Sequence, residues 1–137
     1  MKKVYFACSI RGGRADAKIY AQIVEILKQN CELLTEIFAD NKLTPMGSPD
    51  PSEKIWKRDL EWVKSADVLI AEVTNPSLGV GYEIAKAEEW NKPILCLYRP
   101  SQGKSLSAMI AGSPKTKIVE YQKVSELKKP IKQFLNS

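Results

Sequence analysis

Strand-like and helix-like hydrophobic patterns alternate along this 137-residue chain, and that alternation leaves few folds open to it. Apolar runs with strand character lie at Lys3 to Cys8, Leu33 to Ile37, Asp67 to Val73, Pro93 to Tyr98 and Lys117 to Tyr121. Between and after them, apolar residues recur at helical spacing. One helix spans Asp16 to Gln29, with Tyr20, Ile23, Ile26 and Leu27 on one side, and a second opens at Ser52 as its N-cap after a Pro- and Gly-rich loop from Ala39 to Pro51. A third runs from about Val80 to Trp90, a short one lies around Leu106 to Ile110, and the last covers Ser125 to Leu135. Five strands separated by helices of about ten to fifteen residues predict an α/β fold with a parallel sheet covered on both faces, a flavodoxin-like doubly wound sandwich. With 44% hydrophobic residues the chain supports one core, so residues 1–137 are read as a single domain.

Such a sheet binds ligands at the carboxyl ends of its strands, near the point where strand order reverses. The loops after the first and third strands are therefore the expected site, and they are also the most unusual in composition. Ser9-Ile10-Arg11-Gly12-Gly13-Arg14 places a hydroxyl, two glycines and two cations between a strand and a helix amino terminus. That arrangement suits an anion cradle, or else a tight turn with solvent-facing arginines. It is neither a Walker A loop nor a GxGxxG motif, so phosphate is supported while ATP and NAD are not. The second loop, Asn75 to Glu83, again offers a hydroxyl and glycines ahead of a helix: Ser77, Gly79 and Gly81.

Two acids stand out. Asp59 lies within an apolar helix face formed by Ile55, Trp56, Leu60, Trp62 and Val63, which directs its carboxylate inward. A buried carboxylate must be paired, hydrogen-bonded or protonated, so Asp59 is either an ion-pair partner of Arg11 or Arg58 or a working acid. Glu83 falls in the first turn expected for the helix at Val80, where the macrodipole favours ionisation, and shares a side with Ala87 and Trp90. It is a helix-capping or surface acid, or the ionised half of a catalytic pair. Carboxylates held in different environments are a common means of breaking glycosidic bonds.

Composition narrows the chemistry. The chain has no histidine, which removes Ser-His and Cys-His nucleophilic machinery and the commonest transition-metal ligand. Cys8, Cys31 and Cys96 are far apart and form no CxxC pair, and Cys8 and Cys96 fall in strand runs, so they read as small buried hydrophobes rather than disulfide or zinc partners. No metal or cofactor is expected, and catalysis is left to carboxylates, Tyr, Lys, Ser or Cys. The net charge of +5 favours an anionic partner without indicating nucleic acid. Lys115, Lys117, Lys123, Lys128, Lys129 and Lys132 carry much of the excess at spacings that suit a solvated surface. No apolar run is long enough for a membrane span, and the amino terminus passes directly into a strand without room for a signal peptide, so a cytoplasmic protein is expected.

Several blocks together resemble the 2'-deoxynucleoside 5'-monophosphate N-hydrolases of the nucleoside 2-deoxyribosyltransferase superfamily. They are Val4-Tyr5-Phe6 with Ser9 to Arg14, Asp59-Leu60-Glu61-Trp62, Ala66-Asp67-Val68, Ala71 to Thr74, Pro76 to Glu83, Ile94 to Leu97 and Leu106 to Ile110. They run in order over nearly the whole chain. The resemblance implies hydrolysis of the N-glycosidic bond of a deoxynucleoside monophosphate to a free base and 2-deoxyribose 5-phosphate. It implies Glu83 as a nucleophile giving a covalent deoxyribosyl-enzyme, Asp59 as proton donor to the departing base, and Tyr5 as the residue that orients carboxylate and sugar. Ser9, Arg11, Gly12, Gly13 and Ser77 match positions that hold sugar and phosphate, with Arg14 and Gly79 in the same matching loops, and Ile10 and Ile55 would pack near the base.

The resemblance further implies a homodimer in which Ser107, as a phosphate ligand, and Met109, as a neighbour of the base, reach in from the other subunit. Read alone, those residues are an N-cap serine and a core methionine. Animal members carry histidine in a Thr-Glu-His segment where this chain has Thr35-Glu36-Ile37, so a base preference resting on that histidine does not transfer. Two rival functions remain: a deoxyribosyltransferase that passes the sugar to a second base, and a nucleotide-binding module without chemistry.

Overall fold

A computed structural model of the chain describes residues 1–10, 16–35, 50–100 and 105–137. The strands are β1 (Lys3–Ala7), β2 (Glu32–Leu33), β3 (Val68–Glu72), β4 (Ile94–Tyr98) and β5 (Thr116–Glu120). They form one sheet in the order β2-β1-β3-β4-β5, with every neighbouring pair parallel. This is the flavodoxin-like order, whose direction of winding reverses between β1 and β3. The helices are α1 (Ala17–Asn30), α2 (Ser52–Ser65), α3 (Leu78–Glu89), α4 (Ala108–Ala111) and α5 (Lys128–Leu135).

Side chains alternate across the strands and divide the core in two. Val4, Phe6, Val68, Ile70, Leu95 and Leu97 face α1 and α5, where Tyr20, Ile23, Leu27 and Ile131 are buried. Tyr5, Ala7, Leu69, Ala71, Ile94 and Cys96 face α2 and α3, meeting Val63, Val80, Ile84 and Ala87. The three cysteines are free and buried, as the strand runs around Cys8 and Cys96 lead one to expect for those two. The six lysines of the last quarter are exposed. Among the described residues, no helix is long and apolar enough to cross a membrane.

Three boundaries differ from the sequence expectation. Ser52 is the first residue of α2 and not its N-cap. That place belongs to Pro51, which has extended dihedrals and whose carbonyl accepts the amides of Lys54 and Ile55 at 3.0 and 3.1 Å. The final helix divides into a 3₁₀ turn at Val124–Leu127 followed by α5, because Pro130 has no N–H to complete the α-helical ladder. β2 begins one residue early, at Glu32, and ends at Leu33, so Leu34 and Thr35 are not strand as expected; Glu36 and Ile37 lie outside the described residues.

The end of α3 is fixed by a Schellman arrangement. Asn91 takes a φ of 56°, and the amides of Asn91 and Lys92 bond to the carbonyls of Glu88 and Ala87 at 3.0 and 2.9 Å. The chain is thereby turned into β4.

Candidate active site

At the winding reversal, β1 presents Tyr5 toward α2 and α3. Tyr5 is fully buried, and its hydroxyl donates to Oε2 of Glu83 in α3. The Tyr5 ring also meets that of Trp62 in α2, with centroids 6.4 Å apart. The Arg58 guanidinium lies 5.1 Å from the Trp62 ring centroid, and its Nε donates to Oδ1 of Asp59 at 3.1 Å. A tyrosine, two carboxylates and an arginine thus converge from one strand and two helices.

Asp59 is less deeply placed than the helical pattern predicts. Its side chain is 17% exposed, Trp56 is 55% exposed, and only Leu60 and Val63 of α2 are buried. The buried residues of α2 lie in its second half, which packs on the core, whereas its first half is mostly exposed; Asp59, eighth of its fourteen residues, falls where the two meet. Ile55 is half-buried, and the Trp56 indole donates to the Tyr82 hydroxyl at 3.2 Å.

Glu83 also differs from expectation. Because α3 starts at Leu78, Glu83 sits in the second turn and receives no first-turn stabilisation from the helix amino terminus. Burial raises its pKa from 4.5 to about 7; the Tyr5 hydrogen bond and Arg58 oppose the rise, and the neighbouring Asp59 charge adds to it. Burial likewise raises the pKa of Asp59, against the hydrogen bond and charge of Arg58. The expected order of environments is reversed, since Glu83 is the more strongly perturbed acid.

Of the other residues singled out from sequence, Ser9 is buried directly after β1, and Ile10 is half-buried beside it. Arg11, Gly12, Gly13 and Arg14 lie outside the described residues. Ser77 caps α3, its hydroxyl accepting the Val80 amide at 3.3 Å. A Cβ added to Gly79 would come no nearer than 3.9 Å to the Ser77 hydroxyl, and one added to Gly81 would meet nothing within 4 Å. The face of α3's first turn is therefore open.

Ser107 and Met109 are not gathered with Tyr5 and Glu83. Ser107 caps α4 by accepting the Met109 amide at 3.3 Å, and Met109 is 84% exposed rather than a core residue. Both line a groove of about 580 Å³ with Ser77, Leu78, Gly81 and Ile110, on the α4 side of α3. Among the described residues no group of His, Cys, Asp and Glu could hold a metal ion.

Of the two arginines the sequence offers as partners of Asp59, the structure pairs it with Arg58, while Arg11 lies outside the described residues. Sequence patterning does not show that Trp62 supports this pair, because it gives only the face on which Trp62 lies. The pair forms because the long arginine side chain lies back over Trp62.

The sequence pattern of the nucleoside 2-deoxyribosyltransferase family matches residues 4–116. Over 112 residues the chain is 52% identical to 5-hydroxymethyl-dUMP N-hydrolase of Rattus norvegicus, covering 80% of this chain and 69% of that protein. It is 47% identical over 124 residues to the Danio rerio protein of the same name, covering 90% and 87%. The fold matches a conserved protein from Enterococcus faecalis with a TM-score of 0.76, at 23% identity over 97% of this chain and 98% of that one. The chain belongs to the nucleoside 2-deoxyribosyltransferase family.

Proposed function

We propose that the protein hydrolyses the N-glycosidic bond of deoxynucleoside 5'-monophosphates, releasing a free base and 2-deoxyribose 5-phosphate. The observation that carries this reading is the convergence of Tyr5, Glu83 and Asp59 at the winding reversal of the sheet. The N-hydrolase names of relatives about half identical to it support the same reaction.

In this mechanism the ionised Glu83 carboxylate attacks the anomeric carbon as the C–N bond breaks. The bond's electron pair leaves with the base, which takes a proton from Asp59. The resulting deoxyribosyl ester on Glu83 is opened by water, and the Asp59 carboxylate takes up the water's proton. Tyr5 holds Glu83 Oε2 in place and, by donating to it, favours the ionised form that the attack needs. As the bond lengthens, positive charge grows on the sugar beside Glu83 and pulls its pKa below the value set by burial. Arg58 orients Asp59 by donating to its Oδ1, while burial keeps the Asp59 pKa raised against the charge of Arg58.

The substrate's phosphate would be held by Ser9, Ser77 and the Arg11 to Arg14 segment, with Ile10 and Ile55 beside the base. The homodimer belongs to the same proposal. Leu78 is 97% exposed and Met109 84% exposed along the groove beside α4, and a second copy seated there would cover both while bringing Ser107 and Met109 to its own neighbour's nucleotide. A cytoplasmic setting accords with three unpaired thiols.

The test is direct. Purified protein is incubated with dGMP, dCMP or 5-hydroxymethyl-dUMP, with and without an acceptor base. Base release without acceptor, together with a deoxyribose-phosphate adduct on Glu83 after trapping, is expected. Sugar transfer only when an acceptor is present would establish the transferase instead, and activity confined to unphosphorylated nucleosides would overturn the proposal.

A further inference from the structure

The carboxyl edge of the sheet carries a second polar cluster, on the α1/α5 face, that the mechanism does not use. Its centre is Asp16, the residue at which the chain enters α1. Oδ1 of Asp16 accepts from the Arg99 guanidinium at 2.8 Å, and Oδ2 accepts from the Asn75 amide. The side chains of Arg99 and Asp16 are 21% and 14% exposed, so this is a sheltered, charge-assisted contact rather than a solvated surface pair. Asn75 also donates to the Tyr20 hydroxyl at 3.2 Å, and Arg99 donates to the Tyr121 hydroxyl at 3.3 Å. The Arg99 amide bonds to Thr74 Oγ1 at 2.9 Å, which ties the start of the β4–α4 connection to the β3–α3 connection.

Two features make this more than a surface clasp. Asp16 occupies the N-cap of α1 yet makes no side-chain capping bond. Aspartate is among the best capping residues, so its carboxylate is committed to Arg99 and Asn75 at the expense of its own helix. The second feature is placement: Asn75 lies two residues before Ser77, whose hydroxyl caps α3. The contact therefore joins the start of α1 to the segment that sets Ser77 and the open first turn of α3.

We infer that Arg99 and Asn75 are positioning residues for the phosphate end of the nucleotide: through Asp16 they fix the start of α1 against Ser77 and the amino terminus of α3. This rests on the nucleotide-hydrolase reading above. Neither residue needs to touch the substrate. Their action is to hold two phosphate-facing segments at one separation, which affects binding of the phosphate in ground state and transition state alike.

The experiment compares Arg99→Gln, Asn75→Ala and Asp16→Asn in the full chain, using a deoxynucleoside monophosphate that the wild type hydrolyses and, separately, calorimetric titration with inorganic phosphate. Each variant is expected to raise KM about tenfold and weaken phosphate binding in parallel, with kcat held within about threefold. The Asp16→Asn/Arg99→Gln double variant should be no worse than the poorer single variant, because both remove one contact. Unchanged KM and phosphate affinity alongside a lowered thermal midpoint would overturn the inference in favour of a purely structural clasp. An effect at Arg99 that neither Asp16→Asn nor Asn75→Ala reproduces would also overturn it, because Arg99 would then act directly on the phosphate. If Arg99→Gln does not fold, the near-isosteric Asp16→Asn decides the matter by the same two measurements. Absence of hydrolysis in the wild type would defeat the proposed function, whereas the phosphate titration would still read the positioning role.

Discussion

Two tyrosine–carboxylate pairs sit at the same edge of the sheet on opposite faces, and their surroundings differ. Tyr121 donates to Glu72 on the α1/α5 side, and Tyr5 donates to Glu83 on the α2/α3 side. Burial pushes the pKa of both carboxylates upward. The difference lies in what else each carboxylate meets. Glu72 accepts the Thr74 amide and hydroxyl, each at 2.8 Å, and feels the positive charge of Arg99. Among the described residues, Glu83 has Tyr5 as its one hydrogen-bond donor and another carboxylate, Asp59, in its field. A fully served buried acid holds a fold together, and an underserved one keeps reactivity in reserve.

The sharpest way to separate the pairs is to remove the reactive group from each. Glu83→Ala should lower turnover by about 10⁴-fold or more while nucleotide binding survives, and Tyr121→Phe should change turnover by less than about threefold; steady-state kinetics with a binding titration would show it. Comparable losses from both variants would erase the distinction.

Stability should separate them with opposite sign. Glu72→Ala leaves the buried Tyr121 and Thr74 hydroxyls without their acceptor and should cost about 3 kcal/mol or more in denaturant unfolding. For Glu83 the folded state holds its proton more tightly than the unfolded chain does. Its effect is therefore stabilising below the unfolded pKa and is lost as pH rises through the folded value. The rise from 4.5 to about 7 corresponds to about 3 kcal/mol of stability given up across that interval. Glu83→Gln should accordingly be more stable than the wild type at pH 8 and no more stable at pH 4, as thermal melts at the two pH values would reveal.

The smallest effect concerns the phenol itself. Tyr5→Phe removes a bond that favours the ionised form of Glu83, so it should lower kcat by about tenfold and move the acid limb of the pH–rate profile upward from about 7. The Glu72–Tyr121 pair should have no counterpart in that profile. An unmoved limb in Tyr5→Phe would mean that another group controls it.

These contrasts also show what a sequence can and cannot reveal here. Alternating patterns give the strands, the helices and their parallel arrangement, because hydrophobic period is a local property. They do not distinguish Tyr5 from a core aromatic, because its neighbours Val4 and Phe6 are buried as completely as it is; the family resemblance singled it out. Asp59 is conspicuous as an acid among hydrophobes, but its depth depends on where along α2 the core contact ends, which only the assembled fold determines. Glu83 lies a turn deeper in α3 than the pattern predicts, because the helix begins at Leu78-Gly79, where the glycine masks the start. The Glu72 cluster was illegible: it joins positions 16, 72, 75, 99 and 121, which no spacing rule connects.

The uneven burial of α2 has a consequence for motion. Its second half carries the buried Leu60 and Val63 and shares the fate of the core, whereas its first half, bearing the half-buried Ile55 and the exposed Trp56, has few buried contacts. That half of the helix can fray and re-form at far less free energy than global unfolding demands. Asp59 stands at the junction of the two halves, so on the proposed reading the acid is anchored from one side while the wall beside a bound nucleotide yields.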